Sequence, residues 1–465
     1  MNSSMKRLIL PVLLCLLPTC AFSQPGGKFG TFLRRSNDSA DAYRSARHRE
    51  RERFLKESWK NFPVTDGIQD PFSRRGDAGL PRDEATPGDR PADRTVSLPR
   101  IPVPDQDRYL LGSFVFSFYG REYGVRYDRD GDFLLPGISD RDIAAMWEEL
   151  SGGPADALAE DCMTLREAAG LCDWAYLQMV DSLSFAVYPR LGNERQMLIG
   201  YLLGRSGYRI RFGRSDGSLS CVYGADQVIY GRPFFENDGI RYYPLEDAGS
   251  SWSLSAPCPG RALNLELDSL PSFPGGDFRE RHVSAAGVEF TYRVPQSLLD
   301  FYDSYPHTEM HVKADAPVSV HFREAAYPAL RTALEGKGQV DAVNFLLQFV
   351  WSVMSYKTDG LNWGYEKWNF PEESCYYPYG DCDDHAILFC RLVRDLLGLD
   401  VLLVNCDVDQ GAHAAAAVRF TEPVDGDYIT HEGQKYYCCE PTSNAGRAGD
   451  RRWKKYVVTR LDKIR

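Results

Sequence analysis

The sequence predicts an α+β protein. Its C-terminal core is a helix carrying Cys382 packed on an antiparallel sheet carrying His413 and Glu440, preceded by a mixed α/β domain that reads as a degenerate copy. Three observations lead there. After Asp381-Cys382-Asp383-Asp384, residues Ala386, Phe389, Cys390, Val393, Leu396 and Leu397 recur at helical spacing until Gly398. Short strand-like runs follow, separated by turn residues. Residues 195–212 echo 386–404 as helix, glycine and strand, and Arg241-Tyr242-Tyr243 before Glu246 echoes Lys435-Tyr436-Tyr437 before Glu440.

The chain of 465 residues has room for two or three domains. A hydrophobic share of 43% and a charged share of 26% are globular values and exclude wholesale disorder. A net charge of −11 argues against nucleic acid as a partner. Residues 1–23 read as an export signal: Lys6 and Arg7, a short apolar stretch over 8–17, then Ala21-Phe22-Ser23 as a cleavage site. Leu17-Pro18-Thr19-Cys20 lacks the small residue that normally precedes a lipidated cysteine, so secretion to the periplasm or exterior is preferred to a lipoprotein at Cys20. No apolar run is long enough to span a membrane after processing.

Residues 24–62 read as a basic amphipathic helix, with Tyr43, Phe54, Leu55, Trp59 and Phe62 near one side and Arg44, Arg47, Arg49, Arg51 and Arg53 elsewhere. It fits either contact with an anionic envelope surface or packing on the body of the protein. Residues 63–105 form a linker of Pro, Gly and charged residues. Residues 106–254 are the mixed α/β domain: strands within 110–127, helices at 138–150, 165–182 and 195–203, then strands at 208–212, 218–223, 227–230 and 240–243. Asp128-Arg129-Asp130-Gly131-Asp132 lacks the closing Glu of a calcium loop and reads as a hairpin turn. Residues 255–330 read as β-rich connecting strands. Residues 331–465 open with a helix whose stripe is Val340, Val343, Leu347, Val350 and Met354.

The chemistry-bearing residues follow that helix. Cys382 falls at a helix N-terminus, where free N–H groups and the helix dipole favour a thiolate. His413 begins one strand and Glu440 ends the next. If those strands are antiparallel neighbours, the carboxylate can hold the imidazole in the tautomer that accepts the thiol proton. Asp381, Asp383 and Asp384 are read as helix caps rather than metal ligands. Twelve cysteines, two of them (Cys15 and Cys20) in the leader, show no repeated C-x-x-C, so no zinc site is indicated. On alternation, Cys438 shares the face of Glu440 while Cys439 points the other way.

Gly380-Asp381-Cys382-Asp383-Asp384 at a helix start, Gly411-Ala412-His413 at a strand start and Glu440-Pro441-Thr442 after an aromatic strand resemble the transglutaminase-like superfamily, whose core is papain-like. The stretch 364–420, with Pro371-Glu372-Glu373 and Tyr377-Pro378-Tyr379, resembles exported transglutaminase-like proteins of Bacteroidetes. The likeness covers residues 331–445 and reaches loosely upstream to Cys172-Asp173-Trp174-Ala175. It implies Cys382 as nucleophile, His413 as base and Glu440 as third member. Two departures stand out: the acid is more often Asp, and His385 occupies a place where Arg or a small polar residue is usual.

An acyl-transfer site also needs an oxyanion donor. The backbone N–H of Cys382 is the first candidate, and Asn362 or Trp363 the second. The expected activity is thiol-dependent acyl chemistry on the amide bonds of a protein or peptide, by hydrolysis or transamidation, without a cofactor or metal. The competing expectation is a catalytically silent binding or scaffold protein of the cell envelope.

Overall fold

The computed structural model describes residues 109–465, apart from 129–132, 152, 191, 216, 238, 247–252, 256, 274–275 and 410. The export signal, the basic helix, the linker and most of the 128–132 turn lie outside the described residues. Among the described residues no helix is long and apolar enough to cross a membrane.

The chain begins with the hairpin β1 (Phe114–Phe118) and β2 (Arg121–Val125). Its turn residues Tyr119 and Gly120 both have positive φ, as a two-residue hairpin turn requires. The helix Asp140–Leu150 starts at Ser139, which forms a capping box with Asp142. The single helix expected at 165–182 is two, Pro154–Ala169 and Asp173–Val187. Gly170 ends the first at φ +59, and Cys172 caps the second by accepting the Ala175 N–H. A further helix spans Gly192–Arg205.

Strands β3 (Ile210–Ser215), β4 (Ser218–Ala225), β5 (Phe235–Asn237), β6 (Ile240–Pro244) and β7 (Ser253–Leu254) form an antiparallel sheet in the order β5-β6-β4-β3-β7. The strand expected at 227–230 is absent: Ile229 makes only an isolated bridge to Thr308.

The reading of 255–330 as strands holds only for the hairpin β8 (Phe278–Ala285) and β9 (Val288–Pro295). Helices Gln296–Ser304, Met310–Asp315 and Val320–Leu334 follow. Pro328, ordinarily a helix breaker, sits inside the last of these. The buried residues Phe322, Ala326, Tyr327 and Leu330 nevertheless keep helical spacing and pack in the main core.

The helix Gln339–Val353 buries Val343, Leu347 and Val350 as expected. Two short strands, β10 (Ser355–Tyr356) and β11 (Tyr379–Gly380), pair in parallel, and the short helices Asp359–Asn362 and Glu373–Tyr376 lie between them. The helix Cys382–Leu392 then continues as a π-helical turn to Leu397, and Gly398 ends it at φ +64. Strands β12 (Val401–Val408), β13 (Gly411–Val418), β14 (Tyr428–His431), β15 (Gln434–Cys439) and β16 (Val457–Lys463) form the second antiparallel sheet, ordered β14-β15-β13-β12-β16.

The molecule is therefore mixed α+β with antiparallel sheets. The two five-stranded sheets share one connectivity: in each, the third strand in sequence is at one edge, the fifth at the other, and the first and second are central. One apolar core runs through both halves, with Leu177, Tyr201 and Tyr223 in the first and Leu388, Phe389 and Val401 in the second. A smaller cluster of Leu402, Val404, Ala415, Ala417, Tyr436, Cys438 and Trp453 covers the other face of the second sheet.

Candidate active site

Cys382 is the first residue of its helix because the turn before it is built to start one there. Asp381 is the cap, accepting from the Asp383 N–H, and Asp384 returns a bond to the Asp381 N–H at 3.3 Å. Asp384 also accepts from the backbone and side chain of Asn369, at 2.7 and 3.1 Å. Gly380 permits this crowding: a Cβ there would meet Met354 Sδ at 2.6 Å and Asp384 Oδ2 at 2.8 Å. The reading of these aspartates as caps therefore holds for Asp381 and Asp384.

The sheet supplies the second part. Ala414, Ala416 and Val418 pack in the core with Ala386, Phe389 and Cys390 of the helix. Small side chains on β13 let the helix approach closely. β13 and β15 are antiparallel neighbours, with Ala416 opposite Cys439 and Ala417 opposite Cys438. Continued one step, this register sets Glu440 opposite Ala415 and diagonal to His413 on the same face.

His413 Nε2 and Glu440 Oε2 are 2.9 Å apart. Tyr456 donates its O–H to the same oxygen at 3.1 Å, and its ring stands edge-on to His413. Thr442 donates both its N–H, at 3.2 Å, and its O–H to Oε1. Burial alone would raise the Glu440 carboxyl, but the bonds from His413 and Thr442 hold it below its ordinary range. Tyr456 gave no signal in the sequence, since only the β16 crossover brings it to Glu440.

Cys382 is half-buried at the same end of the sheet. Its Sγ meets Asp383 Oδ1 at 3.6 Å, and the backbone N–H of Ala414, the residue after His413, lies near enough to favour the thiolate. Among the described contacts, no hydrogen bond joins the sulfur to the His413 imidazole. The thiol is pushed well above its usual range, first by loss of solvent and then by the carboxyls of Asp383 and Asp381. The expected lowering at a helix N-terminus is thus reversed. Burial, and after it the neighbouring Asp383 and Asp381 carboxyls, outweigh the dipole.

Those carboxyls belong to a larger acidic group. Asp359, Asp381, Asp383, Asp384 and Glu366 are all raised, each first by burial, with Asp381 at about 7. Ligand atoms of Asp381, Cys382 and Asp383, and of Asp359, Asp381 and Asp384, lie within 4.8 Å of one another. Asp381 and Asp384 are already engaged as caps, so we assign them to helix initiation rather than to a metal.

His385 is fully buried, with Nδ1 at 2.6 Å from the Asp381 carbonyl and Trp351 and Tyr356 nearby. Burial lowers its pKa to about 4, so it is a neutral core histidine. Trp363 packs against Tyr377 and under Lys367 Nζ, and its Nε1 is buried without a partner. Asn362 closes a helical turn through its N–H to the Thr358 carbonyl. No described contact links either residue to Cys382 or His413.

Every cysteine among the described residues is a free thiol. Cys438 lies in the smaller cluster and Cys439 in the main core, on opposite faces as alternation requires. Both are buried.

Comparison with family models, with curated proteins and with solved structures gives no match for this chain.

Proposed function

We propose that this protein is an exported thiol-dependent acyl-transfer enzyme with a papain-like, transglutaminase-like core, acting on amide bonds of a protein or peptide. Cys382 attacks the carbonyl and forms a thioester, while His413 takes the thiol proton and returns it to the leaving amine. Glu440 orients the imidazole and stabilises its charged form. Water as acceptor gives a peptidase or amidase; an amine gives a transglutaminase. The cysteine's own N–H, in the first turn with no i−4 carbonyl to bind, is the oxyanion donor we favour.

The observation that carries this reading is the 2.9 Å pairing of His413 Nε2 with Glu440 Oε2, next to Ala414, whose backbone N–H lies near Cys382 Sγ. That pairing leaves Nδ1 as the nitrogen for the thiol. The matching strand order of the two sheets supports reading 106–254 as a degenerate copy. In that copy Glu246 is paired with Arg195 on the helix, and Ser220 also contacts it.

The competing reading, a silent scaffold, is favoured by one observation: the thiol is turned to Asp383 and raised well above its usual range. Trapping decides between them. An amide-derived electrophile should add one equivalent at Cys382, and His413→Ala should slow that addition at least tenfold. Equal rates in both proteins would leave the scaffold.

A further inference from the structure

The resting structure gives the Cys382 hydrogen to an acceptor other than the expected imidazole. Cys382 Sγ meets Asp383 Oδ1 at 3.6 Å, while no described hydrogen bond joins it to His413. The Glu366 carboxyl lies close to Asp383, and Glu366 Oε1 accepts from Trp368 Nε1 at 3.2 Å. Two buried carboxyls this close favour holding one proton between them. Cys382, Asp383, Glu366 and Trp368 therefore form a run of neighbouring groups on the side of the sulfur that faces Asp383.

We propose that Asp383, backed by Glu366, is a latch on the nucleophile: it holds the resting thiol turned from His413, and Cys382 is armed only when that contact breaks. The role rests on the acyl-transfer reading of Cys382. Asp383 touches the sulfur without taking part in bond making, so it is a positioning residue. No atom is exchanged with a co-reactant. The thiol hydrogen swings from Asp383 Oδ1 towards His413 Nδ1, and the Asp383–Glu366 proton stays within the pair. The ionisable groups facing the sulfur are Asp381 and Asp383 on its own helix and Glu440 from the sheet, with His413 beside Glu440. Loss of solvent, with these carboxyls beside it, keeps the thiol neutral at rest.

The test is the pH–rate profile of iodoacetamide labelling of Cys382. It is read by peptide mass spectrometry on the full chain in chelator-treated buffer, for wild type, Asp383→Asn and Glu366→Gln. Glu366 lies outside the helix, so its variant guards against a folding artefact at Asp383. With a latch, Asp383→Asn labels about tenfold faster at pH 7.5 and its inflection moves down by about one pH unit. Glu366→Gln shifts the same way by less. A merely structural Asp383 would change amplitude but not the inflection. Unchanged or slower labelling in both variants overturns the latch. This outcome is separate from the effect of His413→Ala on trapping, which bears only on the base.

Discussion

Glu440 and His413 come from strand positions two steps out of register, yet their side chains meet at 2.9 Å. The carboxyl is held by the imidazole and Tyr456 on one oxygen and by Thr442 on the other. A group so fixed has little freedom to reorient, as a positioning acid requires.

Glu440→Gln tests that fixing. The carboxyl is held below its ordinary range, so its contribution to stability is present above the unfolded value, 4.5, and is lost as pH falls through the folded one. The variant should therefore show a shallower loss of stability below about pH 4.5 in acid unfolding followed by circular dichroism. Any turnover should fall by at least tenfold. A variant with the wild-type acid profile would show the pairing to be energetically idle.

His385 acts in a higher window. Its folded value of about 4 lies below the unfolded 6.5, so the folded protein resists protonation. The associated stability is complete above pH 6.5 and is lost as pH falls towards 4, by about 3 kcal/mol. His385→Gln should flatten urea-unfolding free energies between those pH values. A variant as pH-sensitive as wild type there would show that other groups carry the transition.

Asp381 works in the opposite sense. Its carboxyl is raised to about 7, so the cost of burying its charge grows as pH rises from the unfolded value, 3.8, and is complete above about 7. Asn caps a helix as well as Asp does. Asp381→Asn should therefore raise Tm most at pH 8 and by clearly less at pH 5. A uniform loss at both would mean that the charge, not the cap, is what the helix needs.

Leu388 is fully buried on the Cys382 helix, in the core shared with β12 and β13. Leu388→Ala should cost about 2–5 kcal/mol. Because the helix also sets the thiol's position, Cys382 labelling should lose its distinction from the other cysteines as local order is lost.

The described cysteines are all free and several are deep in the core. Treatment with a reducing agent should leave Tm unchanged within about 1 °C. A drop of several degrees would point to a cross-link that the free thiols do not form at rest.

Helix and strand identities near the site were legible because their apolar periods are uninterrupted: Ala386 to Leu397 on the helix, and the runs of β12, β13 and β15. The aspartate caps were legible too, since capping depends on near neighbours. Where local signals conflicted, the reading failed. Gly170 divides a helix expected as one, and Pro328 hid a helix that tertiary packing sustains.

The sequence by itself determined the order Cys382, His413, Glu440 and the elements that carry them, because periodicity and capping act over a few residues. The tertiary structure alone decided the rest: the shared strand order of the two sheets, the arrival of Tyr456 at Glu440, the burial of His385, and the turning of Cys382 to Asp383. The sign of the thiol's shift was decided there as well. A helix dipole can be read from one segment. Solvent exclusion and the sum of carboxyls from several segments are set only by how those segments pack.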